Sequence, residues 1–380
     1  MKKSIRIGLV GFGAMGKTHA FAANTLPYFF GDLPFRAEIA GVATRSLEKS
    51  IQVAKLYGLG SAAGSAEELI LSPDIDVIDI CTPNICHLAT AKAALAASKH
   101  LYCEKPLAAT YVQAAEMADL AQKSGKICTV VFNNRHLAAV QKAKQLIDSG
   151  RLGRILHFDF RYLHNSCTAP DKAAGWKQDA EICGAGGVLF DLGSHILDLA
   201  VYLCGGFTSL YGRSQVAYPV RKGMNGKTWQ TNAPEAFYIT AATTNGAVGT
   251  LTASKLTTGA NDDLTFEIYG ERGALRFSLM DLNYLYFYDA AAPASPLGGE
   301  RGFTAIECVG RYDPPAGAFP SPKAPSGWLR GHIMSFYHFL EAVSRGEQNS
   351  PTFAEAAYVQ YLMELALKSA ADGQEKEVRL

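Results

Sequence analysis

Apolar and polar positions fall into two regimes along this chain. In the first third, short and nearly continuous apolar runs alternate with longer stretches of helical periodicity. The runs are IRIGLV (5–10), FRAEIAGVAT (35–44), DVIDICT (76–82), HLYCE (100–104) and ICTVVF (127–132). Helical patterns occupy 15–25, 47–57, 88–97 and 110–124. Strands that are apolar throughout, separated by helices, predict a doubly wound parallel sheet covered on both faces.

The second regime begins with a helix over 138–149 and a strand over 155–162. The turn GAGG (184–187) leads into a helix running to 203. Alternating strands follow: SLYGRSQVAY (209–218), AFYITAATT (236–244), AVGTLTASKL (247–256), LTFEIYG (264–270), GALRFSL (273–279) and YLYFYDA (284–290). Period-two alternation broken by turn residues such as Asn245-Gly246 predicts a large, mainly antiparallel sheet. Residues 290–327 hold seven of the sixteen prolines and little periodicity, so they are read as a long ordered loop or lid. Amphipathic helices over 332–345 and 353–372 complete the pattern. The fold class expected is an α/β domain over 1–133 followed by an α+β domain over 134–380.

Composition narrows the function. A chain of 380 residues suits two domains, and a net charge of +1 leaves no electrostatic footprint for nucleic acid or an anionic membrane. No apolar run reaches the ~18 residues of a membrane span. The start, MKKSIRIGLVGFG, reads as a buried strand because Arg6 and the glycines interrupt any export signal. Eight cysteines without a CxxC pair read as reduced core thiols, hence a cytoplasmic protein with no metal.

The stretch GFGAMG (Gly11, Phe12, Gly13, Ala14, Met15, Gly16) sits between the first strand and the first helix. That is where a glycine loop cradles a dinucleotide. Gly11 allows the tight turn, Gly13 lets backbone N–H groups approach a pyrophosphate, and Gly16 permits close helix packing. An acidic residue at the end of the second strand would hold the ribose of NAD. The chain has Thr44, Arg45 and Ser46 there instead. Arg45 suits a 2′-phosphate, with Thr44 and Ser46 as hydroxyl donors, so NADP is favoured over NAD.

Thr82, Pro83 and Asn84 follow a strand at the edge where such sheets bind ligands; Asn84 either caps the next helix or faces the nicotinamide half. Asp191 and His195 stand four apart on a predicted helix and share a face. His195 has the chemistry to exchange a proton near neutrality, and Asp191 to orient it or bind a hydroxyl. Asp198, three beyond His195, is a further contact for it. Tyr162, His164 and Asn165 lie just past a strand as pocket candidates.

Four stretches in order, GFGAMG, CTPNICH (81–87), CEKPL (103–107) and GAGGVLFDLGSHILDL (184–199), resemble the Gfo/Idh/MocA family over most of the chain. The resemblance implies a Rossmann domain and a C-terminal domain with a large antiparallel sheet. It places Lys105 beside nicotinamide and substrate, where it would steady a developing alkoxide, with Glu104 orienting Lys105 or the ribose. It places His87 and the junction residue Asn133, with Asn134 and Arg135, near the cofactor, and Trp176 and Lys177 near a sugar. It also implies a homodimer or homotetramer built on the C-terminal sheet. The activity implied is an NAD(P)-dependent dehydrogenase or reductase acting on a secondary alcohol of a sugar, cyclitol or polyol. Lys105, Asp191 and His195 would be its catalytic set. Two alternatives stand beside it: glycoside cleavage through transient oxidation by bound NAD, and a non-enzymatic nucleotide sensor. The intact Lys/Asp/His set speaks against the sensor.

Overall fold

The computed structural model describes residues 2–173, 175–223, 226, 228–310, 312 and 319–379, without the side chain of Trp176. In chain order the first elements are β1 (Lys3–Val10), α1 (Ala14–Phe29), β2 (Phe35–Ala43), α2 (Leu47–Tyr57), β3 (Ser61–Ala63), α3 (Ala66–Leu71), β4 (Val77–Ile80), α4 (His87–Ala96), β5 (His100–Cys103), α5 (Tyr111–Ser124) and β6 (Cys128–Val130). Then come α6 (Ala138–Asp148), β7 (Ile155–Leu163), α7 (Ala180–Cys183), a π-helical turn (Leu189–Gly193), α8 (Ser194–Cys204), β8 (Phe207–Gln215), β9 (Val220–Lys222) and β10 (Thr228–Gln230). The chain closes with β11 (Ala236–Thr243), β12 (Val248–Ser254), β13 (Asp263–Gly270), β14 (Gly273–Ser278), β15 (Tyr284–Asp289), β16 (Phe303–Glu307), α9 (Leu329–Arg345), α10 (Phe353–Asp372) and β17 (Lys376–Glu377).

Two compact units result. The first comprises the chain to Asn133 with Leu329–Gln360. Its six strands form a parallel sheet in the order β3-β2-β1-β4-β5-β6. All four residues of β4 are buried, as a strand covered on both faces requires. The predicted second domain is therefore not continuous, because α9 returns to the first unit. Its Phe336 and Phe339 lie 5.0 and 4.9 Å from the ring of Tyr102, and Ser335 Oγ sits 2.8 Å from the Tyr102 hydroxyl.

The second unit holds the nine-stranded sheet β16-β15-β14-β13-β7-β12-β11-β8-β17. Only β12 and β7 pair in parallel; the other neighbours are antiparallel. Phe158, Phe160, Phe266 and Leu251 fill its buried face. The other face is polar. The register places Asp159 between Thr250 and Glu267, and Arg161 between Thr252 and Thr265. That face is a polar ladder with tyrosines at its margins.

Several elements were not foreseen. The stretch 290–327 is not all loop, since β16 extends the sheet from β15. Its residues are mostly exposed, which erases the apolar alternation that marks an inner strand. SLYGRSQVAY ends as a strand at Gln215, and β9 and β10 form a separate small hairpin. Among the described residues, no helix is long and apolar enough to cross a membrane.

Candidate active site

The glycine loop is built as its sequence demands. Gly11 has φ +93°, and a Cβ there would meet the carbonyl oxygen of Cys81 at 2.7 Å. A Cβ on Gly16 would lie 2.4 Å from the Gly11 oxygen, so this glycine lets α1 close onto the loop. Gly13 stands before α1 without a side-chain cap and faces open space. The leading N–H groups of α1 are thus directed at a position suited to an anion. Ala14 is exposed, Met15 half-buried, and Phe12 is buried with its ring 4.8 Å from that of Tyr57.

The ends of β1 and β4 adjoin at the point where the strand order reverses, the usual dinucleotide crevice. Thr82 and Pro83 are half-buried here, and Thr82 Oγ1 is a buried hydroxyl without a protein partner. A glycine cradle beside an orphaned hydroxyl fits a dinucleotide. Asn84 is buried in the first turn after Pro83, and Asn133 is also buried. His87 departs from the cofactor contact expected. It is fully buried, its Nδ1 is 3.1 Å from the Leu107 oxygen and its Nε2 2.9 Å from that of Thr82. Burial holds its pKa below the ordinary value. It pins two loops together and presents no surface of its own.

Lys105 is half-buried, and its backbone N–H donates to Glu104 Oε2 at 3.1 Å. Burial opposes the charge on Glu104, but the bond from His19 and the charges of His19 and Lys105 outweigh it and hold the carboxyl below its usual range.

In the second unit Asp191 lies in the π-helical turn, not on the regular helix that the four-residue spacing suggested. Such turns recur at functional sites. Two lysines converge on Asp191: Lys177 Nζ at 2.8 Å from Oδ1 and Lys255 Nζ at 2.9 Å from Oδ2. Lys177 is half-exposed, whereas Lys255 is 5% exposed. Burial opposes the charge on Lys255, yet the Asp191 carboxylate raises its pKa. Its backbone is fixed on both sides, donating to the Glu235 oxygen and accepting from the Cys167 N–H.

His195 is buried on α8, its ring edge-to-face with Tyr162 at 5.7 Å. Asn134 Nδ2 is 3.4 Å from His195 Nδ1, a contact in which the tautomer of the ring sets which group donates. The Tyr162 hydroxyl donates to Asp262 at 2.6 Å, and His164 Nε2 reaches the same oxygen at 3.0 Å. Tyr162 therefore supports His195 by packing. Asp198, expected near His195, is gripped bidentately by Arg135 at 2.8 and 2.5 Å. Asn165 is exposed, and the side chain of Trp176 lies outside the described residues.

Sequence reasoning missed His19, Asp262 and Lys255. For Lys255 a signal existed: one lysine closes the otherwise uncharged strand VGTLTAS.

Residues 5–132 match the model of the oxidoreductase family with an NAD-binding Rossmann fold, and residues 140–276 that of the GFO/IDH/MocA C-terminal domain. Levoglucosan dehydrogenase of Pseudarthrobacter phenanthrenivorans is 30% identical over 382 aligned positions, 97% of each chain. The chain belongs to the Gfo/Idh/MocA oxidoreductases. Among solved structures, levoglucosan dehydrogenase in complex with NADH and levoglucosan superposes with a TM-score of 0.93 over 100% of both chains at 30% identity. D-glucoside 3-dehydrogenase of Escherichia coli is 33% identical over 204 positions, 53% of this chain and 54% of its own.

The family's Rossmann model is NAD-binding, and the NADP preference read from the end of β2 is not supported. The local bonds give a reason. Thr44 Oγ1 donates to the Ser46 oxygen, and the Ser46 hydroxyl accepts from the Lys49 N–H as the cap of α2. The Thr44 hydroxyl proton expected for a 2′-phosphate is thus given to the backbone, and Arg45 is exposed beside it.

Proposed function

We propose that this chain is an NAD-dependent dehydrogenase that moves a hydride between nicotinamide and a secondary hydroxyl carbon of a pyranose-derived sugar. Anhydrosugars and glucosides are the first compounds to test. The observation that carries the reading is the clamp on Asp191, a carboxylate held between a buried and an exposed lysine and four residues before His195. A carboxylate fixed between two ammonium groups is a poor proton carrier and a well-placed acceptor, so Asp191 suits a sugar hydroxyl better than a proton-transfer role.

Nicotinamide, when bound, supplies the hydride acceptor. Gly13 and the first turn of α1 hold the pyrophosphate. His195 takes the hydroxyl proton, its ring kept in place by Tyr162. Lys105 lends positive charge to the developing alkoxide, the kind of contribution worth ~3–4 kcal/mol in a site shielded from water. The cofactor is NAD, favoured by the Thr44 hydroxyl that donates to the backbone and by the NADH bound in the similar enzyme.

A second copy of the chain is proposed to pack on the polar face of the nine-stranded sheet. Tyr238 and Tyr211 there are 42% and 39% exposed in the single chain. A monomer in light scattering at micromolar concentration refutes this. For the activity, absorbance at 340 nm is followed with NAD and with NADP against levoglucosan, glucosides, inositol and free aldoses. Turnover with NAD on a pyranoside or anhydrosugar is expected. Higher catalytic efficiency with NADP, or with inositol alone, overturns the corresponding part of the proposal.

A further inference from the structure

Three ionisable side chains meet in the first unit away from any open surface. His19, on α1 three residues after Gly16, is 1% exposed. Its Nδ1 lies 2.9 Å from Asp79 Oδ1 and its Nε2 3.1 Å from Glu104 Oε1. Asp79 is 1% and Glu104 6% exposed. Asp79 belongs to β4, whose end leads to Thr82, and Glu104 follows β5 and precedes Lys105. One imidazole thus joins the glycine-loop helix to the ends of two strands.

A carboxylate oxygen lies within hydrogen-bond distance of each ring nitrogen, and Cys81 Sγ is 3.1 Å from Nδ1, surroundings that favour the cationic ring donating from both nitrogens. Burial opposes that charge, but Asp79, through charge and hydrogen bond, and Cys81 raise the His19 pKa well above its usual value. The other groups facing it are Tyr102, with its ring 5.2 Å away, and His332 at 6.1 Å. His332 stays neutral, pushed down to about 3 by burial and by the charge on His19. The ligand atoms of His19, Asp79 and Cys81 lie within 4.8 Å of one another, a spacing open to a metal ion.

Glu104 transmits this arrangement. Its Oε1 is fixed by His19, and its Oε2 accepts the backbone N–H of Lys105. We infer that His19 is a positioning residue for the reaction, holding Lys105 in place through Glu104 and coupling that place to the dinucleotide loop. The inference rests on the proposed role of Lys105. Misplacing a reacting group by about 1 Å costs on the order of 100-fold in rate, so a strut one residue removed from the reacting lysine has leverage on turnover.

Asparagine and glutamine separate positioning from general stability. Asn places its amide near the site of Nδ1 and keeps the Asp79 link; Gln reaches the site of Nε2 and keeps the Glu104 link. In His19→Asn, kcat per folded site is expected to fall ~10–100-fold, while the dissociation constant for NAD moves less than ~3-fold. Hydrogen exchange at the Lys105 amide should accelerate. In His19→Gln most of kcat and the Lys105 protection should return. Parental kcat in His19→Asn, or equal losses in both variants with Lys105 exchange unchanged, overturns the inference. If His19→Asn does not fold, loss of Lys105 protection in His19→Gln overturns it equally. Lys105→Met is the control: parental activity there defeats the role of Lys105 itself, whereas an impaired Lys105→Met beside a parental His19→Asn defeats only the strut.

Discussion

Lys255 sets its ammonium nitrogen 2.9 Å from Asp191 Oδ2, and the two come from distant parts of the chain, the end of β12 and the π-helical turn before α8. The pair is partly shielded: the Lys255 side chain is 6% exposed and that of Asp191 15%. Lys255→Met keeps the apolar stem and removes the charge. It should raise the Michaelis constant for sugar about tenfold or more and lower kcat less, as loss of an interaction made in both ground and transition states does. Asp191→Asn should act in the same direction, and the double variant should cost less than the sum of the two. Steady-state kinetics on the four proteins checks this; additive effects would separate Lys255 from Asp191.

Gly13 and Gly16 should respond differently to alanine. Nothing lies within 4 Å of a Cβ on Gly13, whereas one on Gly16 strikes the Gly11 oxygen at 2.4 Å. Gly13→Ala is expected to melt like the parent and bind NAD at least ~10-fold more weakly, about 1.4 kcal/mol. Gly16→Ala is expected to lose stability as well, by ~1–3 kcal/mol from overpacking. Thermal melts with and without NAD distinguish the two. Unimpaired NAD binding by Gly13→Ala would remove the loop from the binding site.

Stability should fall as pH drops from about 6.5 toward 4. His100 accepts the Ile127 N–H on Nδ1 at 3.0 Å, and burial, with Lys126 and Lys3 nearby, lowers its pKa to about 4. His332 is lowered to about 3. Below about 6.5 the unfolded chain binds a proton at each that the folded chain refuses. Each site therefore contributes a slope of up to ~1.4 kcal/mol per pH unit in that window. The carboxyl of Glu104, lowered in the fold, adds its loss only at more acid pH, as it protonates through its folded value. The raised His19 contributes stability that is lost only as pH rises through its folded value. Urea titrations at pH 7.5, 6 and 5 measure the slope. His100→Asn, which keeps an acceptor and removes the titration, should flatten it.

The first sheet was legible because its strands are buried on both sides and therefore apolar end to end. The exception, β3, has only the residues Ser-Ala-Ala to announce itself. The helix α9 was legible as a helix, but its apolar face did not say which core it covers; Tyr102 and Phe30 decide that. The glycine loop could be read locally since each glycine answers a local steric demand. Asp191 and His195 were legible as neighbours in sequence, whereas Lys255 joins Asp191 only through the packing of the nine-stranded sheet. His19 looked like one polar residue in an apolar helix, and its two carboxylates come from separate strands. The NADP preference is not supported, and side-chain type at the end of β2 does not reveal that the Thr44 hydroxyl donates to the backbone.

The central claim is hydride transfer from a sugar carbon to NAD, and isotope tracing tests it most directly. Levoglucosan and a methyl glucoside, each deuterated at the ring carbons bearing secondary hydroxyls, are incubated with the enzyme and NAD, and the nucleotide is analysed by mass spectrometry. For at least one of them the account predicts NADH one mass unit heavier, formed at the rate of the absorbance rise at 340 nm. It also predicts a loss of ~10²–10⁴-fold in that rate for His195→Ala, as for removal of a proton-transfer group. Aglycone release without net labelled NADH, or parental labelling by His195→Ala, would contradict it.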